Sequence, residues 1–217
     1  MDNANKILQL FLADKDSLTD WMHKLFTVNG KTGATNAYSV VLLPLSSAYE
    51  DMSNKFEGII PIPNCSIRYS IAKLKECYNK IPLVDIPAEK TCSECDGDGQ
   101  VEYEYNGKES THYKYIDCPL CDGEGFIIDR SVKEVKQEPD HNKCIVIGTG
   151  KFNCFRVSEI IQTAELLGAE YFTLIHQEDR PGCRFLFTIH EVEIITVGIL
   201  CDSENTVAIL ESDVSNG

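Results

Sequence analysis

Apolar residues recur at strand and helix spacing in two parts of the chain and are scarce between them. Residues 1–90 and 143–201 carry short apolar runs separated by turn-forming residues, whereas residues 91–129 are rich in Cys, Gly, Asp, Glu and Tyr. The polar stretch at 130–142 predicts a connector or an edge strand. The pattern therefore predicts an α+β domain in two halves with a separate module inserted between them.

The first half predicts mixed helix and strand. A short helix with a serine cap is predicted over 17–26, and the Asn29-Gly30 pair accepts the positive φ angles of a tight hairpin turn. The β-rich run at 37–43 predicts a strand. Apolar positions at helical spacing predict a second helix over 71–78.

The second half repeats a similar order. A strand is predicted at 144–147, followed by a helix that Ser158 caps and Gly168 stops. Three strands follow, the first two joined by a turn at 178–182. Their bounds are 170–176, 183–190 and 192–200. The last residues, from 212 onward, are expected to be disordered. Because a helix and a hairpin occur in each half, the sequence predicts two copies of one α/β unit.

Two matched cysteine motifs stand in the module at 91–129. They are Cys92-Ser-Glu-Cys95-Asp-Gly-Asp-Gly and Cys118-Pro-Leu-Cys121-Asp-Gly-Glu-Gly. A CxxC turn lets two thiolates reach one ion, and zinc prefers four such ligands in a tetrahedron. The glycines let backbone amides turn toward sulfur without steric cost. The motifs therefore predict one structural zinc ion held by all four cysteines.

The residues between the motifs predict a β-hairpin of 101–105 with 112–116, which brings the motifs together. Its four tyrosines alternate along the strands, a pattern that is more often packing than partner binding. His112 and His141 are expected to be ordinary surface residues rather than ligands. A redox dithiol is a weaker alternative because that motif occurs once, at a strand-to-helix junction. A catalytic zinc is also disfavoured, since four thiolates leave no position for water.

The CxxCxGxG repeat resembles the cysteine-rich zinc finger of DnaJ-type co-chaperones over about residues 91–126. Those proteins carry four copies and two zinc ions, whereas this chain carries two copies, enough for one ion. The His-Pro-Asp signature of a J-domain does not occur in the sequence. The resemblance supports the zinc site and says little about chaperone function.

The flanking regions resemble the sliding clamp (beta subunit) of bacterial DNA polymerase. Residues 155–200 share its order of a helix followed by strands, and residues 26–44 share its run of alanine, threonine and an aromatic residue. The sequence departs from the clamp pattern where Asn36-Ala37 replaces Asp-Gly. The resemblance implies one sliding-clamp-like domain of two helix/β-hairpin units. Its halves would be 1–90 and 130–217.

Charge and cysteine usage limit the partners and the cellular compartment that the protein is expected to have. The formal net charge of −14 disfavours a nonspecific nucleic-acid binder but allows one local basic surface. No apolar stretch approaches the roughly 20 residues that cross a bilayer and no leader is apparent, so we expect a cytoplasmic protein without a membrane partner. The remaining cysteines occur singly and are expected to be reduced and mostly buried. They are Cys65, Cys77, Cys144, Cys154, Cys183 and Cys201.

Two functions follow as hypotheses, neither of them enzymatic, because no nucleophile, base and acid stand together in a recognisable set. The favoured one is a zinc-binding replication or repair accessory factor resembling a sliding clamp. It would have a polymerase or other replication factor as partner, self-association, and DNA contact through a basic strip on the helices. The alternative is a zinc-stabilised protein-interaction or chaperone-like adaptor that does not bind DNA.

Overall fold

The computed structural model describes the following residues: 3–13, 19–45, 49–132, 135–178 and 182–213. The chain forms two compact units. Met1–Pro82 together with Pro139–Gly217 form the first, here called the core unit. Leu83–Glu138 form the second, here called the insert.

The elements of the core unit lie on both sides of the insert in sequence. Before it come α1 (Asn3–Leu10), β1 (Phe26–Val28), β2 (Lys31–Thr35), β3 (Ser39–Leu43), β4 (Ile67–Ser70) and α2 (Ile71–Tyr78). The next strands are β5 (Leu83–Ile86), β6 (Glu89–Thr91), β7 (Gln100–Asn106), β8 (Thr111–Asp117), β9 (Phe126–Ile128) and β10 (Lys136–Pro139). The chain then continues with β11 (Cys144–Ile147), β12 (Gly150–Asn153), α3 (Cys154–Leu167), β13 (Tyr171–His176), β14 (Arg184–Ile189), β15 (Val192–Val197) and β16 (Thr206–Leu210).

A seven-stranded antiparallel sheet organises the core unit, in the order β1-β2-β3-β15-β14-β13-β4. It contains two meanders of three consecutive strands, β1 to β3 and β13 to β15, joined where Val41 of β3 pairs with Ile194 of β15. A helix precedes each meander, α1 before the first and α3 before the second. The repeated order is therefore a helix and three strands, rather than the predicted helix and hairpin.

Apolar side chains cover both faces of this sheet. Successive residues of a strand point to opposite faces, and so Phe187 and Leu186 of β14 belong to different clusters. The larger cluster joins the sheet to the three helices, as with Leu74 of α2 and Ile160 of α3, both fully buried. The smaller cluster packs β1 against the short turn that ends at Phe56. No helix of the described residues is long and apolar enough to span a bilayer.

Helix α3 begins five residues earlier than predicted. Its cap is Asn153, whose side chain accepts a hydrogen bond from the backbone N–H of Arg156 (3.3 Å), and not Ser158. The predicted stop is confirmed, because Gly168 adopts the left-handed conformation with φ of 64°. The first turn of α3 is hard to recognise in the sequence because it contains Arg156. A charged residue is expected at an exposed position, whereas Arg156 is buried.

The helix predicted over 17–26 is wrong in its described part. Residues 14–18 lie outside the described residues; beyond them a short 3-10 turn spans Asp20–His23, and β1 already begins at Phe26. The Trp21 ring packs edge-on against Phe26 (6.1 Å between centroids) and Phe56 (6.3 Å). The apolar residues of this segment therefore pack around β1 instead of forming the apolar stripe of a helix.

Other local predictions are confirmed. Asn29 and Gly30 have φ angles of 49° and 76° between β1 and β2, as the hairpin turn requires. The helix over 71–78 has the predicted bounds. The turn at 178–182 lies in part, and the tail from 212 mostly, outside the described residues.

Strand β16 did not appear in the sequence pattern, which is acidic from Asp202 onward. It pairs in parallel with β11, with Ile147 opposite Leu210, in a three-stranded sheet with β12. Only a long-range partner makes this short run a strand. Just before it, Cys201 forms a disulfide with Cys144. The expectation that these two cysteines are reduced is therefore wrong, whereas Cys77 is a buried free thiol as expected.

Replacing Cys144 by serine is expected to lower the free energy of unfolding under non-reducing conditions. The disulfide joins residues 57 apart in sequence, and closing a loop of that length contributes about 4 kcal/mol. Urea denaturation of the wild type and the variant measures the difference. Cys77→Ser is the matched control for changing a buried cysteine that forms no disulfide. Equal losses in the two variants, or no effect of a reductant on the wild type, would contradict this expectation.

The insert is wider than the predicted module at 91–129, because β6 pairs with β9 and β5 pairs with β10 outside the cysteine motifs. Its long hairpin has the predicted register, with Val101 opposite Ile116 and Tyr105 opposite His112. The expectation that the hairpin tyrosines pack is wrong. All four are between 62% and 66% exposed, because this two-stranded sheet has no layer on either face among the described residues.

Candidate metal centre

The four predicted ligands meet at the base of the hairpin. Cys92 and Cys95 precede β7, and Cys118 and Cys121 follow β8, so pairing of the two strands brings the motifs side by side. The four sulfur atoms all lie within 4.8 Å of one another, and every one of these cysteines is at least nine-tenths buried. The structure therefore brings together all of the residues predicted for the site.

The sulfur spacing fits a tetrahedral ion. The Sγ atoms of Cys92 and Cys118 are 3.8 Å apart, and those of Cys95 and Cys121 are 3.7 Å apart. A tetrahedron with metal–sulfur bonds of about 2.3 Å, the length typical of zinc thiolates, has edges of about 3.8 Å. The donor set is thus complete and of the right size for one ion.

The backbone of each motif turns toward its second cysteine. The N–H of Gly99 donates to Cys95 Sγ (3.3 Å), and the N–H of Gly125 donates to Cys121 Sγ (3.2 Å). Both turns use left-handed residues at equivalent positions, of which Asp96 has a φ angle of 50°. Amide hydrogen bonds of this kind disperse the negative charge of a metal-bound thiolate and fix its direction.

The two motifs also pack against each other reciprocally. The N–H of Cys92 donates to Gly125 O, and the N–H of Cys118 donates to Gly99 O, both at 2.8 Å. A Cβ added at Gly125 would lie 2.3 Å from the carbonyl oxygen of Gly97. A Cβ at Gly99 would meet the opposite motif in the same way. Glycine is required there by close contact as well as by φ.

Gly125→Ala is expected to weaken zinc binding at least tenfold, because the new methyl group would push the two motifs apart. Gly123→Ala is the matched control. Its φ of 87° imposes the same left-handed strain, but its Cβ would stand 3.4 Å from Asp117, an ordinary contact. Competition with a chromophoric chelator measures both affinities. An equal loss in the two variants would show that backbone strain, and not contact between the motifs, sets the affinity.

None of the histidines near these regions adds a ligand. His112 lies on β8 with its ring nitrogen 2.9 Å from Ser110 Oγ, and His141 stacks on Phe155 in the core unit. In the core unit a ring nitrogen of His176 hydrogen-bonds to the backbone oxygen of Ile62. Within the described part of the chain, the four cysteines are therefore the one group of side chains placed to hold a metal ion.

A buried polar network in the core unit was not predicted. Glu159 of α3 accepts hydrogen bonds from Asn36 Nδ2 (2.7 Å) and Ser39 Oγ (2.6 Å), and its carboxylate is 3.6 Å from the guanidinium of Arg156. Burial raises the pKa of Glu159, and it lowers the pKa of Arg156. The signal in the sequence is the spacing of Arg156, Glu159 and Thr163, which places a polar stripe among the apolar residues that α3 buries.

Within the described residues, helices α2 and α3 show no row of unpaired basic side chains of the kind expected of a DNA-facing surface. Lys73 of α2 pairs with Asp213 (2.5 Å), and Lys75 pairs with Glu165 of α3 (2.7 Å). The exposed side chains of α3 are Phe155, Gln162 and Glu165. Within the described residues, the lysines of α2 are therefore neutralised by neighbouring carboxylates.

Comparison with known proteins yields structural neighbours only. No protein-family profile and no curated protein sequence matches the chain. Solved structures that match include the DNA polymerase III subunit beta of Pseudomonas aeruginosa, with 10% identity over 92% of this chain and 65% of that one and a TM-score of 0.43. Another is the beta clamp of Helicobacter pylori bound to a DNA ligase peptide, with 10% identity over 91% of this chain and 62% of that one and a TM-score of 0.46.

A third neighbour is the DNA polymerase III beta chain of Streptococcus pneumoniae, with 10% identity over 92% of this chain and 64% of that one and a TM-score of 0.43. The chain spans less than two thirds of the length of these sliding clamps. Identity near 10% and TM-scores below 0.5 are too low to transfer a function.

Proposed function

We propose that the chain is a non-enzymatic protein whose insert is built around one structural zinc ion and serves as a protein-interaction module. The observation that carries this proposal is the buried set of four cysteine sulfurs at tetrahedral spacing. Cys92, Cys95, Cys118 and Cys121 would hold the ion, and the N–H groups of the motif glycines would support it.

The donor set favours zinc in a structural role. Thiolate ligands in a tetrahedron select zinc or iron, and the CxxCxGxG pattern resembles a zinc finger. Four buried sulfurs close the coordination sphere, so no position is left for a water or a substrate. The ion would supply folding energy to the insert, and partner binding would fall to the surface around it.

Metal analysis tests this proposal directly. The protein purified without added metal is expected to contain one zinc per chain by plasma mass spectrometry. Replacement by cobalt is expected to give the visible spectrum of a tetrahedral all-thiolate site. Iron in place of zinc, or a cobalt spectrum typical of oxygen ligands, would refute the structural zinc assignment.

A second candidate is a cytoplasmic accessory factor of DNA replication or repair of the sliding-clamp type. It is favoured by the repeated order of a helix and three strands, because the strands of the two repeats fall on the sequence stretches, 26–44 and 155–200, that resemble a clamp. The pairing of Lys73 and Lys75 with carboxylates favours a polymerase or another replication protein over DNA as the partner.

Light scattering on a sizing column tests the second candidate with the zinc-loaded protein at low and moderate salt. The core unit has the length of about one clamp domain, so a ring requires several copies. A stable symmetric multimer is expected if the chain acts as a clamp. A monomer at all concentrations would exclude a ring and leave the interaction module as the function.

A further inference from the structure

The insert carries a two-sided hairpin whose faces differ in charge. Directly opposite residues of an antiparallel pair share a face, as do alternate residues along each strand. Glu102 lies opposite Tyr115, and Glu104 lies opposite Tyr113. These four residues form one side of the hairpin, here called the acidic face.

The other side of the hairpin also carries two tyrosines, each opposite a basic residue. Tyr103 lies opposite Lys114, and Tyr105 lies opposite His112, with the two rings of the latter pair stacked at 6.4 Å. These four residues are here called the basic face. The tyrosines of both faces are equally exposed, between 62% and 66%, so the two faces differ mainly in the charge of their cross-strand partners.

The glutamates of the acidic face are free to pair with an incoming cation. Within the described chain neither Glu102 nor Glu104 forms an ion pair with a lysine or arginine, and Glu104 accepts one hydrogen bond from the neutral side chain of Asn106 (3.1 Å). The surroundings strengthen the negative field. Residues 83–138 hold fourteen Asp and Glu against six Lys and Arg, an excess of eight in a chain of net charge −14.

We infer that the acidic face is a docking surface for an extended, arginine-rich segment of a partner protein. This inference rests on the proposed function, since the zinc centre holds the base of the hairpin. The occupant is set by charge complementarity: a polyanion such as nucleic acid is repelled by the insert, whereas a cationic segment is attracted.

Arginine fits this face better than lysine because each tyrosine stands beside a carboxylate. A guanidinium can lie flat over a tyrosine ring while its N–H groups donate to the neighbouring glutamate. Opposite side chains on a face are about 5 Å apart, which is within reach of one guanidinium. Tyr113 and Tyr115 are about 7 Å apart along β8, the spacing of alternate residues in an extended peptide.

Fluorescence anisotropy tests the inference with the full-length, zinc-loaded protein. The probe is a labelled peptide of alternating arginine and serine, and the same peptide with lysine for arginine is the comparison. The arginine peptide is expected to bind at least threefold more tightly than the lysine peptide. The double variant Tyr113→Thr, Tyr115→Thr is expected to bind the arginine peptide roughly tenfold more weakly.

The basic face provides the matched control. Tyr103→Thr, Tyr105→Thr removes two equally exposed tyrosines from β7, the strand paired with β8, and it is expected to change affinity less than about twofold. Glu102→Gln, Glu104→Gln is expected to weaken binding roughly as much as loss of Tyr113 and Tyr115, and more so at low salt. Threonine keeps the strand propensity of tyrosine, and glutamine keeps the shape of glutamate. Zinc content and circular dichroism verify that each variant is folded.

Three outcomes would overturn the inference. Equal losses in the two tyrosine variants would mean nonspecific aromatic contact, and wild-type protein that holds zinc but ignores the arginine peptide would mean that the face does not dock cations. If a single-stranded oligonucleotide bound the wild type and only the loss of Tyr113 and Tyr115 abolished that binding, the face would be assigned to base stacking instead. Absence of zinc from the wild type would refute the metal proposal separately, before any peptide is added.

Discussion

Cys95→Ser is expected to release the metal and unfold the insert while the core unit stays folded. Serine is a poor zinc ligand, so the tetrahedral set loses a corner. The buried cluster of the insert consists of the four cysteines, with Val101 and Ile127 packed against them. Structural zinc sites contribute about 10–16 kcal/mol of binding free energy, and this small cluster offers nothing to replace it.

Metal analysis, circular dichroism and limited proteolysis together measure this effect. Zinc is expected to fall from one per chain to none, and protease cuts are expected between residues 91 and 126. The matched control is Ser93→Ala, which changes an exposed residue inside the same CxxC turn and leaves every ligand in place. If Cys95→Ser melted in a single global transition far below the wild type, the insert and the core unit would have to fold as one.

Glu159→Ala is expected to destabilise the core unit by about 3 kcal/mol or more near neutral pH. The change removes the acceptor of the hydrogen bonds from Asn36 and Ser39. It also leaves the charge of Arg156, which is 8% exposed, without the nearby carboxylate. Breaking one side of a buried ion pair typically costs about 3–5 kcal/mol, since the remaining charge stays out of water.

The pH dependence of this loss has a definite sign. Burial raises the pKa of Glu159, and this outweighs the hydrogen bond from Ser39, the charge of Arg156 and the hydrogen bond from Asn36. A carboxyl with a raised folded pKa stabilises the fold fully below the unfolded value, about 4.3, and loses that contribution as pH rises through the folded value. The stability gap between wild type and Glu159→Ala should therefore narrow as the pH is raised from about 4.3 to neutral.

Urea denaturation across this pH range tests both statements. Glu165→Ala is the matched control on the same helix, because its side chain is 53% exposed and pairs with Lys75 at the surface. It is expected to change stability by less than about 0.5 kcal/mol. A similar loss in the two variants would show that water reaches Arg156 and that the buried pair contributes little.

The sequence predicted best the features that are decided locally. The cysteine motifs were found because each holds its two ligands and two supporting glycines within eight consecutive residues, and the hairpin was predicted from the residues between the motifs. Helix α2 was also predicted correctly, because its apolar stripe directly follows its N-terminal cap at Ser70. In these segments local preference and the final packing agree.

The predictions failed where distant residues decide the structure. Cys144 and Cys201 meet because β16 returns beside β11, and spacing alone cannot reveal such a pair. The segment 20–26 forms a 3-10 turn and the start of β1 instead of a helix, because Trp21 packs against Phe26 and Phe56. The burial of the hairpin tyrosines was predicted wrongly for the opposite reason, namely that no distant residues of the described chain pack against them. Their alternation was read correctly as strand, but no layer within the described residues covers either face.

The chain leaves and re-enters the core unit at almost the same point. The backbone N–H of Asp140 donates to the carbonyl oxygen of Pro82 at 2.9 Å, so the two ends of the intervening 83–138 are adjacent. A turn of about three residues could bridge them without moving a strand of the sheet. In a gene, one deletion or one insertion at this position could therefore remove or add the whole insert, and evolution could exchange it as a cassette while the core unit keeps its fold.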